Sequence, residues 1–232
     1  MTMYDATMID QSETLAPATA ATPGPLRPIA GGALCRAFDI VIALAVILFT
    51  APLLIMIALG VKLHDGGPAM FGHERIGLGG RTFRCMKFRS MVVDAEARLA
   101  ALLATDLQAR ADWAKDFKLK RDPRITPLGD FLRKSSLDEL PQLFNVLRGD
   151  MSIVGPRPIV RSEVARYGAR FESYCAVRPG ITGLWQVSGR NDTSYRRRVA
   201  MDAVYARSKC LSWDVKILLL TVPAVFLAKG SY

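Results

Sequence analysis

The sequence predicts a chain that mixes helices and strands behind a single membrane helix. Three observations carry this reading. Mean hydropathy is positive, at +0.19, although 22% of the residues are charged, so apolar and polar character must be segregated along the chain. Ile40 to Val61 runs for 22 residues without a charge, long enough at about 1.5 Å per residue to cross a bilayer. Beyond it, period-2 alternation and helical spacing follow one another in short pieces divided by Gly and Pro. The 232 residues suffice for one compact domain with additional segments.

Residues 1–32 are rich in Ala, Thr and Pro and lack apolar periodicity, which reads as a disordered tail. No basic start precedes an apolar core there, so it is not a secretory signal peptide. The membrane helix occupies 33–63. Pro52, near the middle of its apolar run, removes a backbone hydrogen bond and favours a kink. The helix can therefore span with a kink or bend back to the same face, and periodicity does not separate the two. Basic residues after Val61 put residues 64–232 in the cytoplasm either way. Gly66-Gly67-Pro68 is a turn. Thr82 to Met91 alternates as a strand, with Lys87 and Arg89 on one face. Val93 to Lys118 has helical spacing and is broken by Asp122-Pro123-Arg124 and Thr126-Pro127. Leu137 to Leu147, Glu163 to Ser173 and Ser194 to Ser208 read as short helices. Ile217 to Ala228, at 12 residues, is too short to span. With Trp213, Lys216 and Lys229 around it, it fits an interfacial helix as well as a core helix.

The net charge of +10 favours a phosphate-rich partner, whether nucleic acid, an anionic membrane face or a phosphorylated substrate, or serves solubility. The basic residues are scattered among Gly, Pro and acids, which argues against a nucleic-acid stripe. A membrane scaffold without catalysis is the other competing class. The four cysteines form no C-x-x-C pair and have two histidines for company, so neither a zinc site nor a disulfide framework is expected. No P-loop, G-x-G-x-x-G, G-x-S-x-G or H-E-x-x-H occurs.

The densest chemistry lies in Ser135-Ser136-Leu137-Asp138-Glu139-Leu140-Pro141-Gln142. Proline is tolerated only in a helix's first turn, so a helix is expected to begin a few residues before Pro141 and to hold Asp138 and Glu139 at its positive end. An ionised carboxylate beside a phosphate serves as nucleophile, base or magnesium ligand. The same residues match a capping box from Ser136 to Glu139, which would make both acids structural. Arg157, between Pro156 and Pro158, is either a fixed phosphate clamp or a solvated turn residue. Arg133 and Lys134 stand just before the acids. Arg178-Pro179-Gly180-Ile181-Thr182-Gly183 and Gly189-Arg190-Asn191-Asp192 are turn-rich and polar.

Taken in order, the apolar segment with its proline, Lys87-Phe88-Arg89-Ser90-Met91, Asp122-Pro123-Arg124, Ser136-Leu137-Asp138-Glu139-Leu140-Pro141-Gln142, Gly155-Pro156-Arg157-Pro158 and Arg178-Pro179-Gly180-Ile181-Thr182-Gly183 resemble the bacterial sugar transferases, the monotopic phosphoglycosyl transferases. The resemblance covers about residues 33–232. Its ending and Ser188-Gly189-Arg190-Asn191-Asp192 look most like exopolysaccharide galactosyl-1-phosphate transferases. It implies a compact α/β catalytic domain held to the membrane by a re-entrant helix bent at Pro52 and by interfacial helices, on the cytoplasmic face of the bacterial inner membrane. It implies Asp138 as nucleophile and Glu139 as base or metal-shell ligand, with Mg2+ as cofactor at the acid pair. Arg157, Arg133, Lys87, Arg89 and Arg190 would hold phosphates. The implied partners are a UDP-hexose donor, polyprenyl phosphate and membrane lipid, with a homodimer as an option and no nucleic acid.

Overall fold

The longest apolar run makes the longest element. In the computed structural model, which describes residues 32–116, 119, 122–189 and 193–226, helix α1 spans Gly32–Asp65, 34 residues, and stays helical through Pro52. At 1.5 Å per residue it is about 51 Å long, and by length and composition it could cross a membrane. Its two faces differ in what they meet. Cys35, Asp39, Ala43, Leu54, Ile57 and Val61 are buried, while Val41, Leu48, Phe49, Ile55 and Met56 are more than 60% exposed.

The remainder alternates short strands and helices. Strands β1 (Met70–Ile76) and β2 (Thr82–Phe88) form an antiparallel ribbon, followed by α2 (Ala95–Thr105), α3 (Leu107–Asp116), α4 (Pro127–Lys134) and α5 (Gln142–Arg148). Next come β3 (Ser152–Val154), α6 (Val164–Tyr167), α7 (Phe171–Cys175), β4 (Gly180–Thr182), α8 (Leu184–Val187), α9 (Tyr195–Ser208) and α10 (Leu211–Phe226). Strands β3 and β4 pair in parallel. Helix and sheet are thus mixed, with 66% of the structure helical. The strands form two separate pairs rather than one broad sheet.

Several boundaries differ from the sequence reading. The expected helix over Val93–Lys118 is two helices, because Asp106 is extended and its carboxylate accepts from the Ala109 backbone, starting a new helix. The strand ends at Phe88, since Arg89 and Ser90 turn to bond Ala69 and Thr126 instead. Glu163–Ser173 is interrupted at Gly168, whose φ of 50° no continuing helix accepts. Helix α10 starts six residues earlier than the apolar stretch it contains, because Asp214 is taken into the core by Tyr205. The 1–31 segment, Arg190-Asn191-Asp192 and the last residues of the chain lie outside the described residues.

What positions the functional residues is a set of buried polar joints. Asn145 on α5, 0% exposed, accepts from the Met86 amide at 2.8 Å and donates to the Arg84 carbonyl at 2.8 Å. Its carboxamide therefore acts as the missing neighbour along β2. At the other side of the domain, Asp39 of α1 accepts from the Ser152 hydroxyl at 2.9 Å and the Ile153 amide at 2.8 Å. Lys209 meets Ser152 at 3.4 Å, Tyr205 at 2.8 Å and the carboxylate of Asp214 at 3.4 Å. Arg36 donates to the Leu147 carbonyl at 3.1 Å. The β3–β4 pair is pressed so close that a Cβ on Gly155 would collide with the Arg178 carbonyl and come within 2.7 Å of the Gly180 amide.

Candidate active site

The acid pair sits on a 3-10 turn, Leu137–Glu139, ahead of α5 rather than inside its first turn. Helix α5 begins after Pro141, the reverse of the expected order, because the chain tightens at Ser136 first. Ser136 has φ 58°, the one left-handed non-glycine conformation among the described residues, a strained state for a side chain. Its hydroxyl makes no cap bond, and the Glu139 side chain reaches Lys87 instead, so the capping box is not formed. Asp138 is 7% exposed.

Lys87, from the end of β2, bridges both acids, with Nζ 3.6 Å from Asp138 Oδ2 and 2.6 Å from Glu139 Oε1. Burial pushes the Asp138 carboxyl above its ordinary range; Lys87 and then Arg133 oppose that shift, while Glu139 adds to it. Arg133, exposed on the last turn of α4, is oriented by a 2.8 Å bond from Nε to the Ser90 hydroxyl. Ser90 in turn accepts at its carbonyl from the Thr126 amide, and Thr126 caps α4 through the Gly129 amide at 2.9 Å. No Cβ would fit at Gly129 against the Ser90 backbone, so strand end, helix and arginine are locked together.

The other predicted residues divide. Arg157 is exposed between buried Pro156 and Pro158. Its charge acts on Arg75, whose guanidinium is held below its usual range by burial first and Arg157 second. Arg75 donates to the Pro158 carbonyl at 3.3 Å and stands 4.0 Å from Glu163, tying β1 to the Arg157 loop. Cys85, buried on β2, has its thiol pushed up by burial first, with Lys87, Arg75 and Arg157 opposing and Glu139 adding to that. Arg89 is not with them. It is committed to Asp65 at the end of α1, at 2.7 Å through Nη1, and to the Pro68 carbonyl, because the strand has ended and its side chain no longer follows Lys87. Arg190 lies outside the described residues. Asp122 and Arg124 form a mostly buried ion pair at 2.7 Å beside Trp113, a structural role for that motif.

Two residues that position the site, Asn145 and Arg75, were not singled out in the sequence. Asn145 shares the buried side of α5 with Gln142 as well as Leu143 and Val146, so it did not stand out as a lone polar residue on an apolar face. Arg75 lies on β1, whose Gly72-His73-Glu74 centre carries little strand propensity. The arrangement as a whole is a desolvated carboxylate on a strained turn, a second carboxylate beside it, Lys87 and Arg133 acting on the first, and a second pair of cations, Arg75 and Arg157, farther along the ribbon. That is a geometry for a nucleophile acting at a bound phosphoryl group.

The chain matches the model of the bacterial sugar transferases over residues 31–228. It is 53% identical over 197 residues to the undecaprenyl-phosphate galactose phosphotransferase of Salmonella typhimurium, covering 85% of this chain and 41% of that protein. It is 47% identical over 209 residues to the exopolysaccharide production protein ExoY of Sinorhizobium fredii, covering 90% of this chain and 92% of its relative. A third relative, the UDP-glucose:undecaprenyl-phosphate glucose-1-phosphate transferase of Caulobacter vibrioides, is 40% identical over 218 residues, 90% of this chain and 76% of that one. The chain spans about two-fifths of the length of the Salmonella protein and nearly all of the Sinorhizobium one. With the match running from the start of α1 to beyond α10 and taking in every part of the acid site, the chain belongs to the bacterial sugar transferase family.

Proposed function

We propose that this protein transfers a hexose 1-phosphate from a UDP-sugar to polyprenyl phosphate and releases UMP, the first step of building an exopolysaccharide repeat unit. The observation that carries the reading is Asp138, buried on the strained turn with Lys87 and Arg133 facing it. The Asp138 carboxylate attacks the sugar-bearing phosphorus of the donor. A carboxyl oxygen–phosphorus bond forms, the bond to the bridging diphosphate oxygen breaks, and that oxygen leaves on UMP. An oxygen of polyprenyl phosphate then attacks the acyl phosphate, forming the new diphosphate and returning Asp138 as carboxylate. Two displacements divide one difficult transfer and give ping-pong kinetics. Glu139, held by Lys87, takes up a proton from the incoming lipid phosphate. Lys87, Arg133 and Arg157 carry the charge of the phosphoryl oxygens.

Two adjacent carboxylates with substrate phosphates as remaining ligands are a donor set that suits Mg2+, which completes its shell with phosphate and water rather than an all-protein cage. Asp138 and Glu139 are the residues that would hold it, and the ion would neutralise the donor's diphosphate.

The membrane-helix geometry favoured here is the one-sided one. Both ends of α1 contact the same domain, Arg36 and Asp39 at one end and Asp65 at the other. A helix crossing to the far face would lose one set of contacts. The exposed apolar side of α1, together with Leu219, Leu220 and Val222 of α10, then lies in the cytoplasmic leaflet and brings the site to the lipid phosphate. Galactose is the favoured sugar, from the name of the Salmonella relative, and the Caulobacter name supports glucose as the second reading.

The test is UMP release from a panel of UDP-hexoses with polyprenyl phosphate and Mg2+, for the wild type and Asp138→Asn. One sugar is expected to yield UMP, and Asp138→Asn to lose at least about a thousandfold in rate. Turnover retained by a folded Asp138→Asn protein would remove the nucleophile assignment.

A further inference from the structure

The face of the β1–β2 ribbon that carries Lys87 carries two exposed rings that the transfer chemistry does not use. Register pairs Phe71 with Lys87, His73 with Cys85 and Arg75 with Phe83. Residues directly opposite in an antiparallel pair project to the same side, so Phe71, His73 and Arg75 share the face of Lys87. Phe71 is 54% exposed, and His73 is exposed as well. Their ring centroids are 6.2 Å apart and the planes differ by 22°, so the two rings present nearly parallel faces. Partial burial, then the charges of Arg75 and Lys87, holds the His73 imidazole below its ordinary range, which favours the uncharged ring.

Position decides what such a surface meets. Phe71 stands beside the lysine that touches both acids, and His73 is two residues farther along the strand, about 7 Å, toward Arg75 and the Arg157 loop. Lys87 reaches both acids from this face, so the face lies beside a donor whose sugar-bearing phosphorus meets Asp138, open to its other phosphate and the nucleoside beyond. Phe71 stacks on His73 yet leaves about half of its surface open, and a flat aromatic base is the donor group with a matching π face.

We propose that Phe71 and His73 form the stacking platform for the uracil base of the donor nucleotide. The inference rests on the transferase reading given above and adds to it the residues that receive the nucleoside. Both side chains are exposed, so their truncation leaves the fold intact. The expected result is that Phe71→Ala and His73→Ala each weaken binding of UMP alone, measured by calorimetry on the full-length protein in detergent, by about five- to a hundredfold. KM for the UDP-hexose rises in parallel, KM for polyprenyl phosphate stays unchanged, and Phe71→Tyr and His73→Phe restore binding by restoring a ring.

Three outcomes overturn the platform. One is unchanged UMP affinity in both alanine variants. Another is a raised donor KM with unchanged UMP affinity, which moves the rings to the sugar. The last is a raised KM for polyprenyl phosphate alone, which moves them to the lipid. Failure of the wild type to release UMP from any UDP-hexose would instead sink the transferase reading, and the UMP titration reads the platform separately from that.

Discussion

Asp138 is held between opposing influences, and their balance is visible in how its activity should depend on pH. Burial raises its pKa, and the Lys87 and Arg133 charges offset only part of that. In the proposed role of nucleophile Asp138 must be ionised, so a raised value means that protonation removes it at a higher pH than for a solvated aspartate, about 3.9. The acid limb of kcat/KM, which reports the free enzyme, is therefore expected above that value, and Lys87→Met should move it higher still. A limb at or below the ordinary carboxylate range would show that the cations outweigh the burial. Asp138 and Glu139 stood out in the sequence as candidates because their segment offers two adjacent acids no competing use except capping, and the capping box does not form. What was not legible was the strained Ser136, since a serine carries no sign that it will take φ 58°. The fate of Arg89 was equally hidden, because period-2 geometry holds only while the strand lasts and β2 stops one residue before it.

At the scale of elements, the site depends on how firmly β2 is fixed to α5, and Asn145 is the joint. Truncating it leaves the Met86 amide and Arg84 carbonyl without partners inside the protein, at about 1–3 kcal/mol for each buried group left unpaired. Asn145→Ala is expected to lower the melting temperature by several degrees. It should also reduce kcat, because Lys87 lies one residue beyond the freed amide and loses its fixed distance to the acids. Thermal unfolding and steady-state kinetics on the same preparation check both, and a stability loss with unchanged kcat would make the joint purely structural. Helices α1 and α9 were legible, α1 from its apolar run length, while Ser194, read as the first residue of α9, caps it instead. The ribbon strand β1 was not, since its pairing with β2 supplies what its Gly, His and Glu do not. The division of α2 from α3 was hidden for a similar reason, for Asp106 breaks the helix by capping the next one and no Gly or Pro marks the place.

For the whole molecule, the one-sided reading of α1 proposed above rests on the contacts that both of its ends make with the rest of the chain. Replacing Pro52 by Leu and Asp39 by Ala together removes the residue that disfavours a straight apolar helix and the carboxylate that ties its first turns to β3. An added N-terminal cysteine should then react with a membrane-impermeant maleimide in intact cells, whereas the same cysteine in the otherwise native chain should react only after the inner membrane is opened. Labelling of the native chain from outside would make α1 a spanning helix. The Asp39 contact also has a consequence in time. Its partner Ser152 is 113 residues farther along the chain, and at about 5–20 residues per second roughly 6–23 s of synthesis separate the two. Helix α1 therefore meets the bilayer before the group that fastens it has been made. During that interval only its own sequence, Pro52 included, can keep its N-terminus from crossing, and the finished domain seals an orientation that the nascent chain has already chosen.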